Sequence, residues 1–136
     1  MTLSTAAWQK EYLKNVERAW TYEPQEKPKK EYAHRKQVIQ GKLYSTEVAK
    51  FVAHVGSQTY DTGKFEYWEG DLYITKKGNW FVSGYGNARS RFAREEGPTY
   101  QGGSGIIRIQ HSDVIPILED CNNFDALMAT CQIEEG

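Results

Sequence analysis

The sequence predicts an α+β fold: a small antiparallel sheet of three to five strands, with helices packed on one side and an N-terminal helical appendage. Three observations carry that reading. Residues 64–86, KFEYWEGDLYITKKGNWFVSGYG, hold two aromatic and β-branched runs about Lys76-Lys77-Gly78, the pattern of a central aromatic hairpin. Near the N-terminus, Trp8, Tyr12, Val16 and Trp20 recur at helical spacing. Beyond residue 111, two short apolar-periodic segments follow capping residues.

Ser4 or Thr5 can cap the first helix, which runs to about Trp20 with Lys10, Glu11, Lys14, Glu17 and Arg18 off its apolar face. Pro24, Pro28 and five basic residues between Lys27 and Lys36 then read as a linker, because proline removes donors and charge resists burial. Residues 1–36 are thus expected to be a helix plus basic linker, and 37–136 a single domain with an acidic helical tail. Val38 and Ile39 before Gly41-Lys42 suggest a strand and turn. Ser45 is expected to cap a helix whose buried stripe is Val48, Ala49, Phe51, Val52 and Val55, ending at Gly56. Pairing about the Lys76-Lys77-Gly78 turn sets Leu72 opposite Val82 and Ile74 opposite Trp80 on one face, with Tyr73 opposite Phe81 on the other. NARSRFARE reads as one or two helical turns, and Ile106, Ile107 and Ile109 as a strand. Ser112-Asp113 and Asn122-Asn123 are the expected caps of two C-terminal helices, the second carrying Phe124, Leu127, Met128 and Cys131.

Composition narrows the function classes. The 136 residues are 39% hydrophobic with a mean hydropathy of −0.72, which excludes an apolar membrane-spanning helix. The net charge of −1 hides an asymmetry: residues 1–36 carry +3, residues 37–111 carry +2, and residues 112–136 carry −6 with no Lys or Arg. Cys121 and Cys131 lie ten apart without a second Cys/His pair at ligand spacing, so neither zinc nor another metal or cofactor is expected. No secretory leader is visible, and two free thiols in the cytoplasm are the expectation.

The chemistry expected of these residues is binding of an anion. Arg89, Arg91 and Arg94 follow Gly84-Tyr85-Gly86; Gly102, Gly103, Ser104 and Gly105 offer backbone donors, and Arg108 follows on the next strand. With Trp80 and Tyr85 as rings, Arg89, Arg91, Gly102, Gly103, Ser104 and Arg108 form the predicted ligand site. A dinucleotide-binding turn does not fit, since Arg89 stands where the third glycine would fall. Glu69 and Asp71, two apart on one strand face, are the candidates for acid–base or metal work. His111-Ser112-Asp113 cannot line up as a relay because adjacent residues point in different directions. The helix bearing Trp8, Tyr12, Val16 and Trp20 is a candidate self-association surface.

The segments VIQGKLYSTEVAKFVA (38–53), FEYWEGDLYITKKGNWFVSGYG (65–86), SRFA (90–93) and GGSGII (102–107) resemble a family of small uncharacterised proteins of bacteria and their phages. The resemblance covers roughly half the chain, with Tyr73–Phe81 its most specific part. It implies a phage or mobile-element context and no established activity. The expectation is therefore a non-catalytic cytoplasmic protein that captures an anionic, nucleotide-like small molecule or inhibits a host defence protein. Two other classes stay open: a small enzyme acting on a phosphorylated substrate, and a nucleic-acid-binding regulator using the basic linker, weakened by a pI near 6.3.

Overall fold

The computed structural model describes residues 14–57, 67–86, 94–96, 99–101, 103–133 and 136. Helix α1 (14–21) leads into a 3-10 turn at Lys30–Tyr32 and the hairpin β1 (Lys36–Ile39) and β2 (Lys42–Ser45). Then come β3 (Lys50–Gly56), β4 (Trp68–Ile74), β5 (Trp80–Gly86), the short pair β6 (Arg94–Glu96) and β7 (Thr99–Gln101), and β8 (Gly103–Ile109). Helices α2 (His111–Asp120) and α3 (Phe124–Thr130) follow. The central antiparallel sheet has the order β3-β4-β5-β8.

The hairpin at its centre has the expected register, Leu72 with Val82, Ile74 with Trp80 and Tyr73 with Phe81. Gly78 at φ +87° closes its turn, donating its N–H to the Thr75 carbonyl at 2.9 Å. The β1–β2 hairpin reverses through Gln40 and Gly41, both at positive φ as a tight two-residue turn requires. Because side chains alternate along a strand, each element of the sheet presents one set to the helices and another to the opposite side. On the helix side, Leu72, Ile74, Trp80 and Val82 pack with Val114, Ile117 and Leu118 of α2 and with Ala126 and Leu127 of α3. Ala19 of α1 is fully buried in the same cluster, and the Trp20 indole N–H donates to the Thr75 carbonyl at 3.1 Å. The described part of the N-terminal helix therefore packs on the body of the fold.

Several local expectations are overturned. The segment read as a helix over Val48–Val55 is the strand β3. Its apolar residues fit both periods, and a strand buried on both faces has no polar side to betray it. Phe51 joins the aromatic cluster on one face while Val52 and Val55 join the helix-side core, with a bulge between Phe51 and Ala53. Of NARSRFARE, the part from Arg94 belongs to β6 rather than to a helical turn; the rest lies outside the described residues. Helix α2 begins at His111, with Gln110 rather than Ser112 as its cap, whereas Asn123 caps α3 as expected, its side chain accepting from the Ala126 N–H at 3.1 Å.

The basic stretch after α1 is not free of the sheet. Its lysines stay exposed, but Tyr32 is buried and its carbonyl accepts a hydrogen bond from the Ser83 hydroxyl at 3.0 Å. With the β1–β2 hairpin, this stretch covers the second face over Tyr44, Phe51, Tyr73, Phe81 and Ile106. Tyr73 and Phe81 stack with centroids 5.2 Å apart. Gly84 sits where any side chain would clash, since a Cβ would lie 2.0 Å from the Glu69 carbonyl oxygen. The Arg35 guanidinium fastens that region, donating to the Gly84 carbonyl at 2.8 Å and the Gly105 carbonyl at 3.3 Å.

Candidate functional site

A groove of about 860 Å³ runs between β2, β8 and the start of α2. Each wall is set by local sequence. The Gln40-Gly41 reversal carries Lys42 to the groove, and alternation along β8 turns Arg108 outward while Ile109 enters the core. The Arg108 guanidinium donates to the Gln40 side-chain oxygen at 2.9 Å, which leaves further N–H groups of the fork. His111 opens α2, and it and the cap residue Gln110 line the groove, so the amino end of the helix borders it; the Asp113 N–H donates to the Gln110 carbonyl at 2.9 Å, and Asp113 is the acidic residue of that first turn. Trp80 and Tyr44 are buried rings in the floor. The lining holds no carboxylate. Among the described residues, neither Lys42 nor Arg108 lies within ion-pair distance of an acid.

The predicted ligand residues are divided by this geometry. Trp80 and Arg108 both line the groove, from opposite faces of the sheet. Tyr85 lies at the other end of β5, on the face of Arg108 rather than of Trp80, opposite Ser104, with Gly103 opposite Gly86. Arg89, Arg91 and Gly102 lie outside the described residues, as do Trp8 and Tyr12 of the predicted self-association face. Val16 of that face is buried and Trp20 half-buried against the core. Lys42 and His111 also line the groove, although local pattern marks them only as a turn residue and a helix start; no local pattern reports that the β1–β2 hairpin lies beside β8.

Glu69 and Asp71 do share a face of β4, and both are engaged within the fold. The Tyr32 and Tyr67 hydroxyls each donate to one oxygen of Glu69. Burial raises the pKa of Glu69, but those phenols, the Lys29 charge and Tyr85 outweigh it and hold the carboxyl below its ordinary value. Asp71, fully buried, faces His54 Nδ1 at 2.5 Å and accepts the Lys29 backbone N–H at 2.8 Å. Burial prevails there and raises its pKa. His54 Nε2 lies 3.4 Å from a Glu26 carboxylate oxygen, so the imidazole bridges the sheet to the chain that covers it. A base oriented by a buried carboxylate has the form of a catalytic dyad, but both ring nitrogens already face carboxylates.

Cys121 and Cys131 are free thiols whose pKa values burial pushes up, the opposite of an activated nucleophile. Among the described residues, no three His, Cys, Asp or Glu side chains are placed to hold a metal ion, and no helix is long and apolar enough to cross a membrane. No family model, curated protein or solved structure matches this chain.

Proposed function

We propose that this chain is a non-catalytic binding protein of phage or mobile-element type that captures an anionic, nucleotide-like ligand in the β2–β8–α2 groove. The observation that carries the reading is the convergence of Arg108, Lys42 and the amino end of α2 on one concave surface without a carboxylate. Arginine forks and helix amino ends suit phosphate oxygens, and the Asn79 and Gln110 amides suit the edge of a base. The volume falls in the ordinary range for a small-molecule site, roughly 300–1,000 Å³. Commitment of Glu69 and Asp71 to structural partners favours binding over turnover. Sequestering a host signal nucleotide is how such a protein would blunt a host defence.

Isothermal titration with nucleoside mono- and diphosphates and cyclic dinucleotides tests this. Arg108→Ala is expected to weaken binding at least ~10-fold, about 1.4 kcal/mol, and Lys42→Ala several-fold, with unchanged melting because both side chains are exposed. Mass spectrometry is expected to return the ligand intact. Unchanged affinity in Arg108→Ala would remove this groove as the site, and a converted ligand would transfer the protein to the enzyme class. DNA affinity that collapses with salt would instead favour the regulator.

A further inference from the structure

Among the described residues, five large apolar side chains are more than half exposed, and they fall into two groups. Val38 and Leu43 are register partners in the β1–β2 hairpin, and Val48 follows in the next turn. Leu43 and Val48 line a groove of about 500 Å³ whose lining includes Lys42, Lys76 and Lys77 and no acid. The second group is Phe124 and Met128, 64% and 62% exposed and one helical turn apart on α3. Asp125 stands beside them and Glu119 precedes them, in a segment of net −6 that contains no cation.

One patch is an apolar floor with a positive rim; the other is an apolar ridge on a negative helix. Isolated exposed apolar residues are common, but paired patches matched in both shape class and sign point to recognition. We infer that the Phe124–Met128 ridge of one copy docks into the Leu43–Val48 groove of a second copy. Since the two patches differ, the contact is heterologous, and repetition builds a ring or an open chain. The surfaces are small, so association is weak and depends on concentration and salt. Leu43 and Val48 lie outside the anion groove, although the two grooves share Lys42, Tyr44 and Asn79, so sedimentation is read on ligand-free protein.

Sedimentation velocity of the full chain over a concentration series is expected to show mass rising with concentration, and the rise shrinking as sodium chloride is added. Leu43→Glu and Met128→Glu, both at exposed positions, are each expected to keep the native circular dichroism and melting and to weaken association at least ~10-fold. Mixing the two variants is expected to restore association that stops at the dimer, because the mixture offers one intact ridge and one intact groove. A wild-type chain that stays monomeric throughout would overturn the inference. So would association that survives in both variants, or a mixture that stays monomeric while the wild type assembles.

Discussion

The two faces of the central sheet are both buried, and they are held by different means. Toward the helices, Leu72, Val82, Leu118 and Ala126 meet in an aliphatic core whose cohesion is area removed from water. Away from them, Phe51, Tyr73 and Phe81 are flanked by Asp71, Glu69 and Ser83, each bound to the chain that runs through Lys29 and Tyr32. Aliphatic packing is tolerant of which neighbour supplies the surface. A buried carboxylate is not, because losing its partners leaves a charge in a poorly solvating place. The polar face therefore specifies where the covering segment sits, and the apolar face holds the sheet to its helices.

Paired truncations test whether the second face is a full core. Leu72 and Phe81 are both completely buried, one on each side. Each change to Ala is expected to cost about 2–5 kcal/mol in urea unfolding. A cost below about 1 kcal/mol for Phe81→Ala alone would reduce the covering segment to a loose lid.

The next effect in size separates charge from shape. Asp71→Ala leaves His54 and the Lys29 N–H without their acceptor and is expected to cost about 2–3 kcal/mol, and Asp71→Asn less, since an amide oxygen still accepts. Amide exchange at Lys29 is expected to quicken in the Ala variant while Leu118 on the other face keeps its protection. Equal quickening on both faces would mean the sheet unfolds as one unit.

The smallest effect is in pH. Burial first, with neighbouring carboxylates second, raises the pKa of Tyr32, Tyr67 and Tyr73, all on or beside the polar face. Unfolded tyrosines lose their protons near pH ~10 while the folded ones keep theirs, so the unfolded state binds fewer protons. Stability is then fully present below that pH and declines as pH rises toward the folded values. Cys121 and Cys131 on the helix side contribute with the same sign, starting near pH ~8.5. Tyr32→Phe is expected to cost about 1 kcal/mol at neutral pH and to flatten the melting-against-pH slope above pH ~10. A slope unchanged by that substitution would put Tyr32 in water. In acid, Glu69, held low, withdraws its contribution as pH falls through its folded value, whereas Asp71, held high, acts in the opposite direction.

Legibility differed between these regions for physical reasons. The Leu72–Val82 and Tyr73–Phe81 pairings follow from alternation about one glycine turn, so local sequence carries them. The β3 segment misleads because Phe51, Val52 and Val55 satisfy a helical stripe and a two-faced strand alike. Arg108 and Trp80 were visible as candidate ligand residues, but Lys42 and His111 reach the same groove only through contacts between distant segments.

By itself the sequence determined the fold class, the central hairpin with its register, the cap at Asn123 and the charge polarity of the chain. Each of these rests on interactions among near neighbours or on composition. Tertiary structure decided the rest. It laid a proline-containing basic stretch over an aromatic face, and it engaged two sheet carboxylates with Tyr32, Tyr67 and His54. It also brought Lys42, Arg108 and the start of α2 around one groove. Those outcomes depend on side chains dozens of residues apart meeting once the sheet has formed, and no local periodicity encodes such a meeting.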